Sequence, residues 1–200
     1  MRKSGVTNYR RFCQDLLPEL RGKPVSFEVF ADDPSGMRKQ ALEIASWGKS
    51  IYVKIPVINA QGDSMAPLIR ELSHDGIPLN ITAIFTLEQV EATLEAVRGG
   101  APSLVSVFAG RIADTGRDPE PLIRGAAELC AKIEKSAELL WASTREAFNI
   151  VQAEQLGCAI ITAPVDVIKK LDGFNRDPFD LSLDTVRTFK KDSEAAGFSL

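Results

Sequence analysis

Six times between about residues 24 and 163, a short apolar run rich in β-branched and aromatic residues gives way to a stretch of helical period. Read as strands, the runs cover residues 25–30, 51–56, 79–85, 104–109, 139–143 and 159–163. Strands alternating with helices in this way form β/α units, whose strands lie parallel in one sheet covered by helices. The helical stretches carry their own punctuation. Thr86-Leu87-Glu88-Gln89 has the form of a capping box, and Gly48, Gly76, Gly99 and Gly157 stand where helices stop. A helix over about 8–20, capped by Thr7, precedes the first strand, and another over about 182–196 closes the chain.

A row of β/α units either closes into a barrel or opens into a doubly wound sheet. Open sheets that bind nucleotides usually carry a glycine-rich turn after the first strand, and Phe30-Ala31-Asp32-Asp33-Pro34 is no such turn. Strand alternation separates two faces. One is aliphatic and suits a helix layer. The other gathers Glu28, Lys54, Asn80, Thr82, Ser106 and Ser143, several of them near the carboxyl ends of different strands, where barrel enzymes keep their active sites. Polar groups converging from several strands need a common centre, and a closed barrel supplies one. The expected fold is α/β, a TIM (β/α)8 barrel with six readable strands, in one domain over residues 1–200. Met37, Leu42 and Trp47 fall at helical spacing and are expected to pack on the barrel exterior. Asp32 and Asp33 precede a helix as caps, and Asp114 is expected to fix the loop near Arg111.

Composition narrows the ligands. With 44% hydrophobic and 26% charged residues, the chain has the balance of a soluble globular domain. A net charge of −3 with no basic face argues against nucleic acid, so any bound anion should be small. Cys13, Cys130 and Cys158 are far apart, and His74 has no second imidazole, so no metal site and no cofactor are expected. No run is long enough for a membrane span and no signal peptide is visible; a cytoplasmic protein with reduced thiols is the expectation.

Lys54 stands out chemically. It lies in Ile51-Tyr52-Val53-Lys54-Ile55-Pro56, where alternation turns its ammonium away from Ile51, Val53 and Ile55. Such a lysine either snorkels from an edge or lines a pocket, and in a pocket desolvation favours the free amine, a nucleophile toward carbonyl carbon. A Schiff base would need proton transfers, which Glu28 could perform through a water held by Thr82, with Asn80 bonding the lysine or a substrate hydroxyl. The plainer alternative is a buried Lys54–Glu28 ion pair. A second group lies beyond the strands: Arg111 after the fourth, Ser143 and Arg145 after the fifth, with a helix expected to start near Thr144. Together they suit a phosphate, although loop arginines mostly face water.

At these residues the sequence resembles the transaldolase family, and more closely its short subfamily that includes the fructose-6-phosphate aldolases. The segments that carry the resemblance are Val25-Ser26-Phe27-Glu28-Val29, Tyr52-Val53-Lys54-Ile55-Pro56, Leu79-Asn80-Ile81-Thr82-Ala83-Ile84-Phe85, Ser106-Val107-Phe108-Ala109-Gly110-Arg111-Ile112 and Trp141-Ala142-Ser143-Thr144-Arg145. The resemblance implies a TIM barrel in which Lys54 forms the Schiff base, Glu28 and Thr82 serve the catalytic water, and Asn80 contacts the lysine. It further implies that Ser106, Phe108, Arg111, Ser143 and Arg145 contact a sugar phosphate. Glu28 and Phe108 favour the transaldolase branch over the aldolase branch, which has glutamine and tyrosine there.

The activity so implied is transfer of a dihydroxyacetone unit between sugar phosphates in the pentose phosphate pathway, by a homo-oligomer, a pentamer or decamer. An aldolase-type lyase and an inactive phosphosugar-binding remnant are the alternatives. Met1-Arg2-Lys3-Ser4-Gly5-Val6-Thr7 matches the segment that relatives carry after their second strand, so the barrel is expected to lack its first two strands and an aspartate they carry.

Overall fold

A computed structural model describes residues 6–197. Residues 1–5, which belong to the opening segment of the resemblance, lie outside them. The chain divides into two compact units, Met1–Ala163 and Pro164–Leu200.

The first unit is built on six strands: β1 Val25–Glu28, β2 Ile51–Pro56, β3 Leu79–Ile84, β4 Ser103–Val107, β5 Ala137–Trp141 and β6 Ile160–Ile161. They pair in sequence order, and every pair is parallel. Sequential order has no point at which the winding reverses, and that distinguishes a (β/α) barrel from a doubly wound sheet. Inward residues of all six strands border one cavity, so the sheet curls. The fold is that of a TIM (β/α)8 barrel represented by six strands, a curled half-barrel in which β1 and β6 have one strand partner each among the described residues.

Helices of this unit are α1 Tyr9–Leu16, α2 Pro34–Ala45, α3 Ala66–His74, α4 Leu87–Val97, the short α5 Ala109–Ala113, α6 Glu120–Ile133 and α7 Phe148–Gln155. The core lies between them and the outward strand face. Ile55, Leu79, Ile81 and Val105 are buried there against Met37, Ala41 and Ile44 of α2, Leu72 of α3, Leu94 of α4 and Ile123 of α6. Burial of each such side chain stabilises the fold by about 1.5–3 kcal/mol. Truncating one, as in Ile81→Ala, would cost about 2–5 kcal/mol.

Several boundaries depart from the expected ones. Asn8, not Thr7, caps α1 by accepting the Arg11 N–H at 3.0 Å, and the opening helix tightens into a 3₁₀ turn over Leu17–Leu20. β1 ends two residues early because Gln40 Oε1 takes the N–H groups of Phe30 and Ala31. The fifth strand starts and ends two residues earlier than expected, and Ser143 beyond it is left-handed, with φ 63°. On α2 the buried stripe is Met37, Ala41 and Ile44; Leu42 is 40% exposed, so only Met37 and Trp47 of the expected trio join the core. Asp33 caps α2, whereas Asp32 accepts the Ala60 N–H instead. The capping box at Thr86 and Gln89 forms as expected. Gly76, Gly99 and Gly157 take positive φ beyond their helices, and Gly48 does not.

The second unit contains α8 Val165–Lys169 and α9 Pro178–Ala196. The closing helix begins four residues before the expected Ser182, because Asp177 caps it and Pro178 supplies a first residue with a preset φ. Phe179, Leu183, Val186 and Phe189 form an exposed apolar stripe along α9. Among the described residues, no helix is long and apolar enough to cross a membrane.

Candidate active site

A cavity of about 720 Å³ occupies the concave face of the sheet. Its floor is made by the pleat. In β2, Ile51, Val53 and Ile55 are buried toward the helices, which turns Tyr52 and Lys54 inward. Register then aligns neighbours: Lys54 lies beside Asn80, and Pro56 beside Thr82. A β-bulge comes next in β3, where pairing with β4 shifts between Ile81 and Ile84 and Ala83 adopts φ 59°. Such bulges recur next to sites where a side chain must be re-aimed.

One hydrogen-bond chain spans the floor. Ser106 donates its hydroxyl to Asn80 Oδ1 at 2.6 Å, and Asn80 Nδ2 donates to Ser26 Oγ at 2.8 Å. Asn80 therefore reaches across β2 to β1, and its amide is fixed at both ends. Thr82 differs. Its hydroxyl is buried and has no partner among the described residues. A buried unpaired hydroxyl costs about 1–3 kcal/mol unless something in the cavity satisfies it. The Lys54 ammonium also enters no ion pair or hydrogen bond among the described residues. The Lys54–Glu28 pair considered as an alternative is absent from the structure.

The rim is made by the segments that leave β4 and β5 at their carboxyl ends. Phe108 and Arg111 border the cavity, the Arg111 guanidinium lying 5.1 Å above the Phe108 ring, which in turn tilts against Phe85 at 5.6 Å. Ser143 borders it in its left-handed conformation. Arg145 does not. Its Nε and Nη2 bind Asp114 at 2.5–3.0 Å, and these hydrogen bonds hold the Asp114 carboxyl below the usual carboxylate range. Contrary to expectation, no helix begins near Thr144: α7 starts at Phe148, because Asn149 Oδ1 takes the N–H groups of Arg145 and Glu146.

Of the residues singled out in the sequence, Lys54, Asn80, Thr82, Ser106, Phe108, Arg111 and Ser143 thus share one cavity. Glu28 is in register with Lys54 but borders a smaller pocket with Tyr9, Phe30 and Trp47. Ser26 and Tyr52 were missed, although each stands two residues before a chosen one and so on the same strand face. An apolar wall of Leu104, Leu140 and Ala142 was also missed, since inward aliphatic residues look no different in sequence from outward ones.

The lining contains two cations, Lys54 and Arg111, several hydroxyls, and no carboxylate among the described residues, in a chain of net charge −3. Two cations without a carboxylate suit a small anion.

Relatives agree in kind. A family model described as transaldolase/fructose-6-phosphate aldolase matches residues 6–200. A protein named probable transaldolase from Dehalococcoides mccartyi is 35% identical over 169 residues, 84% of this chain and 74% of that one. One of the same name from Thermoanaerobacter sp. is 34% identical over 177 residues, 88% and 76% of the two chains. Another, from Methanococcus maripaludis strain C5, is 36% identical over 148 residues, 74% and 65%. A six-stranded parallel sheet curled around a lysine, a family match over nearly its whole length and relatives of one kind lead to one conclusion: the chain belongs to the transaldolase/fructose-6-phosphate aldolase family.

Proposed function

We propose that this protein is a cytoplasmic transaldolase that moves a dihydroxyacetone unit from a ketose phosphate to an aldose phosphate, as in the pentose phosphate pathway. The observation that carries the reading is a strand lysine whose ammonium is unengaged, together with an arginine, in a cavity that has no carboxylate among the described residues. Lys54 Nζ adds to the ketose carbonyl, and loss of water leaves an imine. Thr82, whose hydroxyl has no partner among the described residues, holds the water or the carbinolamine oxygen, and Glu28, in register with Lys54, serves the proton transfers on turning from the Tyr9 pocket toward the cavity. Protonated, the imine accepts the electron pair released when the bond between C3 and C4 breaks. The C4 hydroxyl gives its proton to the water held by Thr82, which passes it to Glu28, and an aldose phosphate departs. The three-carbon enamine then adds to the acceptor aldehyde, whose oxygen takes up the proton, and water hydrolyses the resulting imine to free the new ketose phosphate and Lys54. Asn80 and Ser106 position hydroxyls, while Arg111 and Ser143 take the phosphate at the cavity, joined from outside its lining by the unpaired edge of Arg145.

A second reading has its own observation. With no carboxylate in the lining among the described residues, imine formation is provided for better than carbon–carbon cleavage, which fits a chain that captures phosphosugars without turning them over. Product assays with fructose 6-phosphate, with and without an acceptor aldehyde, separate the cases. Transfer that needs acceptor supports the transaldolase, release without acceptor indicates a lyase, and trapping without either indicates capture alone.

Self-association is proposed through α9, whose stripe of Phe179, Leu183, Val186 and Phe189 is exposed. Phe179→Glu together with Phe189→Glu should lower the mass measured by analytical ultracentrifugation; an unchanged assembly would exclude this helix.

A further inference from the structure

The two rim arginines are held by different means. Arg111 rests on the Phe108 ring, and its donors have no partner among the described residues, whereas Arg145 gives its Nε edge to Asp114. Arginine has five N–H donors in a rigid fork, and the Asp114 carboxylate occupies only the Nε–Nη2 side. The Nη1–Nη2 side has no partner among the described residues, and it has the geometry to grip a second oxyanion.

The backbone beneath Arg145 is fixed as firmly as its head. Ser143 is left-handed, Thr144 donates its hydroxyl to the Thr162 carbonyl at 2.6 Å, and Asn149 takes the Arg145 and Glu146 N–H groups. Gly110 of α5 sits so close beneath this loop that a Cβ there would lie 1.6 Å from the Ser143 carbonyl oxygen. Asp114 follows Arg111 by three residues in and after α5, so one short segment carries the cavity's arginine and the carboxylate that steers the other.

We propose that Asp114 is a positioning residue for anion recognition: it holds Arg145, which stands outside the cavity lining two residues beyond Ser143, by one edge and leaves the other edge for a substrate phosphate that reaches the rim, and so sets the preference for phosphorylated over unphosphorylated ketoses. This rests on the reading of the cavity as a phosphosugar site. Asp114 itself touches no ligand. Its side chain is half exposed, so its contribution to folding is small and its removal is felt in recognition.

The test is calorimetric titration of the full chain with inorganic phosphate, together with half-saturation of borohydride trapping by fructose 6-phosphate and by free dihydroxyacetone. Asp114→Asn should weaken phosphate binding about tenfold and shift the ratio of the two half-saturating concentrations by a similar factor. Asp114→Glu should recover part of both. Equal losses for both sugars would mean a merely structural role, and tighter phosphate binding would mean that Asp114 competes with the ligand; either overturns the proposal. If the parent chain binds phosphate and Asp114→Asn binds it equally, the proposal alone fails. If the parent does not favour phosphorylated ligands, the phosphosugar reading fails with it.

Discussion

The floor and the rim of the cavity are built from opposite materials. The floor is strand-borne: Asn80, Thr82 and Ser106 are buried, Lys54 is half-buried, and position is set by the pleat and the register. The rim is loop-borne. Arg145 and Asp114 keep 45% and 50% of their side chains exposed, and their placement depends on contacts between segments far apart in sequence. Rigid strands suit groups whose separation decides chemistry, because a misplaced nucleophile loses rate steeply. Exposed charges suit recognition, since they can change partners at little cost in stability. Substitutions on the floor should therefore strike turnover, and those on the rim should strike affinity for phosphate.

The largest effect tests the floor. Lys54→Met keeps an unbranched apolar stem in β2 and removes the amine, so transfer should fall at least about a thousandfold while the thermal midpoint stays near that of the parent. Initial rates beside a thermal melt decide this, and residual turnover near the parent's would remove Lys54 from the mechanism.

Thr82→Val separates chemistry from packing within the floor. The substitution exchanges an unpaired buried hydroxyl for a methyl group of similar size, so stability should hold within about 1 kcal/mol or rise. Turnover should drop about a hundredfold. A drop in stability without one in rate would reverse the assignment.

Gly110→Ala reaches the rim through its support. Because backbone meets the new Cβ, the Ser143 loop must move, at a cost of about 1–3 kcal/mol in a denaturant titration. Fructose 6-phosphate should lose more affinity than free dihydroxyacetone. Equal losses would show that the loop supports the whole cavity and would blur the contrast between floor and rim.

A smaller effect compares the two sides of the sheet. Desolvation, opposed by the hydrogen bond from the Glu28 N–H, pushes the Tyr9 phenol from 10.0 up to about 12. Tyr52, on the cavity side, is raised as well, first by burial and then by Glu138. An unfolded tyrosine ionises near its ordinary value, so the stability linked to Tyr9 is complete below about 10 and is lost as pH climbs toward about 12. Tyrosinate absorbance monitored through alkaline unfolding should show Tyr9 ionising late, near the loss of structure. Ionisation of both tyrosines at the ordinary value in the folded chain would mean that neither side of β1 and β2 is desolvated.

Legibility in the sequence divides along the same line. Period-two alternation is local, so it separated Lys54, Asn80, Thr82 and Ser106 from Val53, Leu79, Ile81 and Val105 without reference to any neighbour, and the structure keeps both groupings. Six strands in order were also readable, because each is its own run. Contacts between runs were not. The Arg145–Asp114 pair joins residues 31 apart, and a propensity for a turn after Trp141 does not say that Ser143 becomes left-handed over Gly110. No signal in the sequence sets Asn149 apart, yet its side chain decides where α7 begins. Glu28 shows the limit even on a strand: its parity is right and its register matches Lys54, but at an edge strand the side chain borders the Tyr9 pocket instead.

The central claim is that Lys54 carries the substrate as an imine, and trapping tests it most directly. Fructose 6-phosphate and borohydride are added to the full chain, and the digested protein is read by mass spectrometry. The account predicts a stable sugar-derived adduct on the peptide containing Lys54, absent from Lys54→Met and diminished by excess inorganic phosphate. An adduct on another lysine, or none at saturating sugar, would contradict it.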